Sequence, residues 1–311
     1  MPRHPRGDDS PEGGPALIDV DGREVPGSQI AAQAGLRAVD SRPGFGDYIR
    51  QIWRRRAFLR AFAGAKMESE NSESRLGQLW QVLDPVFTMA VYWFLFGYLL
   101  GGRGSVVNYT GFLAVGVFSF ALVRQSITAG SRSITSNLGL VRAIHFPRAV
   151  LPLAVVVKQL RVFFISLPIM IAILLVTGEQ ITVNWLLAPI ALVLILMFSV
   201  GMALILARIV AVVTDVSDVL PYFLRIWGYA SGVMIPIADR LDRLGLPPWA
   251  VFLIEINPPT AFLNIMRDSL MSTYGAPGGS FNWIVSAIWA FVVLPVGLWF
   301  FWRGEGRYGR G

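Results

Sequence analysis

From Leu79 to Trp302 the chain repeats apolar runs of about 20 residues, the length at which an α-helix crosses a bilayer. A helix satisfies its own backbone polar groups, so such runs can sit in hydrocarbon, where irregular backbone cannot. They occupy approximately 79–101, 109–130, 149–177, 183–207, 219–237 and 282–302. Runs of this length exclude a membrane β-barrel, whose strands are about 10 residues long and alternate in character. The expectation is an all-α polytopic membrane protein with six transmembrane helices. Composition agrees: 15% of the 311 residues are charged, against about a quarter in soluble domains, and mean hydropathy is +0.55.

A net charge of +7 would suit a nucleic-acid partner, but the placement of the arginines points to a membrane. The 131–148 loop carries Arg132, Arg142 and Arg148, and the 304–311 tail adds Arg307 and Arg310 to Arg303, whereas the 101–108 and 178–182 links hold only Arg103 and Glu179. Positive charge concentrates on the cytosolic side of membrane proteins. Both termini are therefore expected in the cytosol, with no nucleic acid bound. The first 40 residues contain no apolar core of signal-peptide length. Cysteine is absent and the histidines are His4 and His145, which excludes disulfides, thiol chemistry and a histidine metal cluster.

Residues 1–42, rich in Gly, Pro, Asp and Arg, read as a disordered cytosolic tail. Residues 43–66 follow with Phe45, Tyr48, Ile49, Ile52, Trp53, Leu59 and Phe62 at helical spacing among Arg50, Arg54, Arg55 and Arg60. That pattern predicts an amphipathic interfacial helix, arginines toward headgroups and aromatics toward acyl chains. On the opposite side, 246–273 has two apolar stretches broken at Asn257-Pro258-Pro259, each too short to span. An extracytoplasmic re-entrant helical hairpin is expected there.

Charge inside the apolar runs is costly and so informative. In "VVVKQLRVFF", Lys158 and Arg161 interrupt the third run. At about 1.5 Å per residue from the outer end, they fall at the inner boundary of the hydrocarbon. Arg124 and Arg225 reach a similar depth in the second and fifth runs. Each side chain could simply snorkel to the headgroups, and Arg225 has Asp218 two turns away. The functional expectation is that Arg124, Lys158, Arg161 and Arg225 admit an anionic lipid headgroup such as a diphosphate, which planar guanidinium groups bind through paired donors.

No P-loop is present, because Lys66 precedes Met67 and Lys158 precedes Gln159; any ATP and Mg would belong to a separate subunit. Asp215 and Asp218 read as solvated acids ahead of a helix N-terminus rather than a metal or catalytic pair. The chain is expected to carry no cofactor and no catalytic residues. Aromatics are dense in the first run (Phe87, Tyr92, Trp93, Phe94, Phe96, Tyr98) and the fifth (Tyr222, Phe223, Trp227, Tyr229). Most are expected to pack against lipid, a minority to line a conduit for sugar rings.

"SRLGQLWQVLDPVFTMAVYWFLFGYLL", "GSRSITSNLGLVRAIHFPRAVLPLAVV", "TDVSDVLPYFLRIWGYASGVMIP" and "EINPPTAFLNIMRDSL" stand in this order along the chain. With Leu76, Gly77, Leu79, Trp80 and Pro85, they resemble permease subunits of type-2 ATP-binding-cassette exporters, in the branch that exports O-antigen, teichoic acid and related polymers. The likeness covers about 45–303. It departs in the linker before the first span, where Glu68, Glu70 and Glu73 replace a basic stretch. The resemblance implies a homodimer in the bacterial cytoplasmic membrane, two copies of an ABC ATPase subunit and a lipid-linked polysaccharide substrate, galactan, O-antigen or teichoic-type. It also implies a gate helix bearing Tyr48, Ile52, Trp53, Arg54 and Arg55, and a coupling segment bearing Arg132, Asn137, Arg142, His145 and Phe146. A drug efflux permease of the same superfamily and a membrane enzyme acting on polyprenyl-phosphate lipids are the alternatives.

Overall fold

The computed structural model describes residues 16–18, 24–26, 44–72, 78–101, 106–143, 146–236, 245, 247–275 and 278–305. Contacts divide the chain into a unit up to Gly44 and a unit from Phe45 onward. The first, expected from composition to be a disordered tail, holds one described pairing. Strand β1 (Ala16–Ile18) runs antiparallel to β2 (Glu24–Pro26), with Leu17 opposite Val25.

The described elements of the second unit are helical. The single amphipathic helix expected at 43–66 is two: α1 (Phe45–Arg54) and α2 (Arg56–Ser72), joined at Arg55. α3 (Gln78–Tyr92) continues as a wider π-helical stretch, Trp93–Leu99. α4 (Tyr109–Ser131), α5 (Leu138–Ala143), α6 (Val150–Val176), α7 (Ala188–Val212) and α8 (Val216–Ala230) follow. The short pair α9 (Pro248–Glu255) and α10 (Pro258–Leu270) precedes α11 (Ser280–Gly304).

Among the described residues, four segments are long and apolar enough to cross a membrane: Tyr109–Ser131, Val150–Val176, Val183–Val212 and Ser280–Gly304. They match the second, third, fourth and sixth expected spans. The first run supplies the shorter apolar segment Leu83–Leu99. The fifth yields only the 15 residues of α8, about 22 Å of helix, against a hydrocarbon core of about 30 Å. α8 stops because the chain turns at Ser231–Gly232, where Gly232 takes φ +72°, a conformation that side chains with a Cβ rarely adopt.

α4 is the axis of the bundle, packed by α3, α6, α7, α8 and α10. Its small residues permit this: Gly111, Gly116, Ser119, Ser126 and Gly130 are all buried. Asn108 caps its start by accepting from the Gly111 N–H at 2.9 Å. α7 and α11 approach through Gly201 and Gly297, where a Cβ on Gly297 would lie 2.9 Å from the Gly201 Cα. Close backbone approach through small residues is how helices gain contact in lipid, where apolar burial supplies no net drive. A second, smaller core gathers Tyr48, Ile134, Val141, Leu151, Leu204 and Phe301 where α1 meets the ends of α6, α7 and α11.

The broken end of α8 is closed by Arg267 of α10, 2% exposed. Its guanidinium donates to the carbonyls of Gly232 (3.0 Å), Val233 (3.1 Å) and Phe112 (3.3 Å) and lies 3.4 Å from the centre of the Phe112 ring. Gly116 leaves the room: a Cβ there would sit 2.8 Å from the Val233 carbonyl and overlap the guanidinium. Asn257, in the α9–α10 turn, donates to Ser231 Oγ and Thr260 Oγ1 at 2.9 Å each and accepts from Trp227 Nε1 at 2.7 Å. The hairpin and the end of α8 are thereby one polar assembly.

At the far end of α6, Glu179 is buried and takes hydrogen bonds from three residues in two other segments. Asn108 Nδ2 reaches it at 3.0 Å, Ser272 N at 2.7 Å, Ser272 Oγ at 3.0 Å and Thr273 N at 3.2 Å, with the Thr273 hydroxyl also donating. Burial pushes its carboxyl up, but the donors of Thr273, Ser272 and Asn108 outweigh that and hold it below the ordinary 4.5.

Gly116→Ala should lower the thermal midpoint in detergent, by an overpacking cost of about 1–3 kcal/mol, read by fluorescence-detected size exclusion after heating. Arg267→Met should be at least as damaging, because three buried carbonyls lose their donor. For Glu179 the sign follows from a lowered folded pKa: its stabilisation is present above 4.5 and is lost as pH falls through the folded value. Glu179→Gln should therefore be less stable than the parent at pH 7, and the gap should close as pH falls through the lowered value of the folded carboxyl. A gap constant with pH would refute it.

Candidate functional site

A cleft of about 490 Å³ opens between α3, α4 and α8. Charge enters from each wall: Asp84 from α3, Arg124 from α4 and Arg225 from α8. Between them stand Trp80, Phe87, Tyr92, Phe120 and Tyr229. Gly228 brings α8 close to α4, since a Cβ there would lie 2.6 Å from the Phe120 ring. Arg124 Nη2 lies 3.5 Å from Asp84 Oδ2, with 34% and 57% of the two side chains exposed. Among the described residues Arg225 makes no ion pair. The Asp218 considered for it pairs instead with Arg132 at 3.1 Å.

The four cations expected at one depth thus fall into two pairs. Arg124 and Arg225 share the cleft. Lys158 is buried in α6 and is not among the cleft residues. Arg161 Nη2 donates to the Arg60 carbonyl of α2 at 3.4 Å. Depth arithmetic sets height along a helix but not direction around it. Arg161 turns toward α2, one of the elements α6 packs against together with α3, α4 and α7.

In the expected coupling segment, Arg132 follows α4 and donates to the Ser217 carbonyl at 2.8 Å as well as to Asp218. Its own carbonyl accepts from Ser136 Oγ at 2.8 Å and Thr135 Oγ1 at 3.1 Å. Asn137 Nδ2 donates to the Ser133 carbonyl at 2.8 Å. Arg142 is exposed at the end of α5. Phe146 packs on Phe58 of α2, ring centres 5.6 Å apart. His145 lies outside the described residues.

Of the expected gate residues, Tyr48 is buried and its hydroxyl accepts from the Ala149 N–H at 3.3 Å. Ile52 packs into the same small core, whereas Trp53 is 69% exposed, with Arg56 stacked 5.5 Å above it. Arg54 and Arg55 are exposed. Glu305, just beyond α11, accepts from the Arg148 N–H at 2.7 Å and from Tyr48, and its carbonyl accepts from Arg148 Nη1 at 2.6 Å. Burial pushes the Glu305 carboxyl up, more than Arg148 and Tyr48 pull it down. One acid therefore ties α1, the start of α6 and the end of α11.

Sequence reasoning missed Asp84, Glu179 and Arg267 as organising residues. Asp84 carried a usable signal: an acid within an apolar run, near the depth assigned to Arg124. Glu179 and Arg267 carried none, since their partners are uncharged groups remote in sequence.

This geometry belongs beside that of known proteins. Residues 71–271 match the ABC-2 type transporter family. The chain is 27% identical over 228 residues to the O-antigen export system permease protein RfbA of Myxococcus xanthus, covering 73% of this chain and 82% of that protein. The protein of that name from Klebsiella pneumoniae is 26% identical over 200 residues, 64% of this chain and 74% of its own. The polysialic acid transport protein KpsM of Escherichia coli is 25% identical over 229 residues, 72% of this chain and 84% of its own. The extent of the family match, across the cleft, the Arg132 segment and the α9–α10 pair, makes this chain a member of the ABC-2 type transporter family.

Proposed function

We propose that the chain is the membrane subunit of an ATP-driven exporter that moves cell-envelope polysaccharide, carried on a lipid diphosphate, across the bacterial cytoplasmic membrane. Two copies would form the conduit, and two separate ABC ATPase subunits would supply force. The relatives named for O-antigen export and polysialic acid transport support the substrate class. The single observation that carries the reading is the cleft, where two guanidinium groups and five aromatic rings share one opening. Guanidinium groups bind phosphate oxygens in pairs, and aromatic faces accept sugar rings without demanding one hydrogen-bond geometry.

The chain crosses the membrane six times in this reading, the first and fifth crossings being Leu83–Leu99 and α8, completed by the wider stretch and by Ser231–Pro236 respectively. Irregular backbone at that depth is tolerated where protein covers it, and Val233 and Met234 are buried. The Arg132–Glu305 end faces the cytosol, as positive-inside requires, and α9–α10 forms the re-entrant outer hairpin. Movement of the ATPase pair would reach α8 through Arg132 and its contacts to Ser217 and Asp218, and would reach α1 through Phe146, Phe58 and the Tyr48 contacts.

In a host depleted of the parent chain, Arg124→Gln or Arg225→Gln should each lower surface glycan. Loss of a charge-assisted hydrogen bond, about 1.5–3 kcal/mol, corresponds to roughly ten- to hundredfold in headgroup affinity. Unchanged surface glycan in both variants would sink the cleft as the headgroup site. Arg132→Ala with Asp218→Asn should leave basal ATP hydrolysis by the assembled complex in place while lowering glycan exported per ATP. Equal losses of both would refute a coupling role.

A further inference from the structure

We propose that Asp84 is a tethered competitor for Arg124 that lets the cleft reject singly charged phospholipid headgroups while admitting a diphosphate; this rests on the headgroup reading of the cleft. Asp84 and Arg124 meet through one oxygen and one nitrogen at 3.5 Å, and both line the cleft rather than the packed core. Both stay substantially open, 57% for the acid and 34% for the base. A pair placed only to neutralise a buried arginine would be enclosed and bonded through both oxygens. This one is single-contact, half-open and exchangeable. Arg225 faces the same opening and makes no ion pair among the described residues.

The consequence follows from charge. Two guanidinium groups and one carboxylate leave the cleft with one net positive charge. Membrane phospholipids greatly outnumber any glycan carrier and present a phosphodiester with one negative charge. Two unopposed arginines at the inner boundary of the bilayer would be occupied by such headgroups. With Asp84 in place, a phosphodiester has Arg225 alone, or must expel a carboxylate of equal charge from Arg124 and gains no charge pairing by doing so. A diphosphate has a second phosphate to spend: one group settles on Arg225, and the other displaces Asp84, which swings to solvent. Specificity arises from a penalty on the wrong ligand rather than from a new contact to the right one. The same carboxylate lowers absolute affinity for the diphosphate, which favours its release.

The test uses the full-length chain in phosphatidylcholine nanodiscs, titrated calorimetrically with farnesyl diphosphate, with and without phosphatidylglycerol in the disc. In the parent, phosphatidylglycerol should shift the apparent Kd by less than about twofold. Asp84→Asn, nearly isosteric, should bind farnesyl diphosphate about two- to fivefold more tightly without phosphatidylglycerol, the scale of an exposed ion pair, and should lose that gain when phosphatidylglycerol is present. Asp84→Glu should restore discrimination, which a purely structural role for the amide-tolerant site would not require. If Arg124→Gln weakens binding but Asp84→Asn matches the parent in both discs, the competitor role is overturned and the headgroup site stands. If Arg124→Gln and Arg225→Gln both bind as the parent does, the headgroup site falls and takes the competitor role with it.

Discussion

Three carbonyl oxygens held by Arg267 decide how this protein can be built. A helix that ends inside a bundle leaves its last carbonyls without donors, at a cost hydrocarbon makes severe. α8 ends in this way at Ala230. The Trp227 and Gly228 carbonyls accept from Ser231, and the carbonyls of the turn beyond, Gly232 and Val233, take their donor from Arg267, 34 positions or more further along, at the close of α10. The same guanidinium reaches the Phe112 carbonyl in α4 and rests on its ring. A cation without a carboxylate is thus accommodated by carbonyl dipoles and an aromatic face, both electronegative toward it. The hairpin is consequently no appendage. Removing it would open the end of α8 and strip α4 of a neighbour.

The cleft inherits its shape from that arrangement. Its walls are α3, α4 and α8, and α4 is fixed by small residues that bring α6 and α7 close on its other sides. α3 departs from regular helix at Trp93, where the wider winding sets Gly97 against the Tyr109 ring and Trp93 Nε1 on Thr110 Oγ1 at 3.0 Å. Wide helical turns of this kind re-aim the residues on either side of them. α3 and α8 both carry large exposed apolar side chains, among them Phe87, Val91 and Phe94 on one and Tyr222, Ile226 and Tyr229 on the other. The charged groups of the cleft sit directly among these side chains, Phe87, Val91 and Tyr229 lining it as well.

The apolar runs were legible because hydropathy counts residues, and four of the runs are unbroken helices of membrane length. The fifth run is regular helix only as far as Ala230. Nothing in the hydropathy of "GYASGVMIP" distinguishes a helix from a buried irregular stretch, and the feature that ends it, Arg267, lies in another segment. The inner cations show a second limit. Arg124 and Arg225 share the cleft, yet Lys158 is buried in α6 outside it and Arg161, three residues on, turns to the Arg60 carbonyl of α2. Azimuth depends on packing partners. The amphipathic helix was recognisable from its aromatic spacing, but its break at Arg55 was not, since no Gly or Pro marks it.

The two ends of α8 are held unequally. At one end Asp218 meets Arg132 with 79% and 47% of their side chains exposed, a contact worth about 0–1 kcal/mol in solvent. At the other, Arg267 and Asn257 bind the Ser231–Val233 segment with buried or half-buried hydrogen bonds from a charged and an amide group, and losing any of them strands a desolvated carbonyl or hydroxyl. The Asp218 end is therefore the weaker attachment. At the other end the Gly232 turn takes a positive φ that a residue with a Cβ rarely adopts. Arg225 lies between the two ends on α8, and Arg124 lies across the cleft on α4. The separation of the two guanidinium groups is thus set by how α8 sits against α4, and the polar assembly around Arg267 fixes one end of that packing.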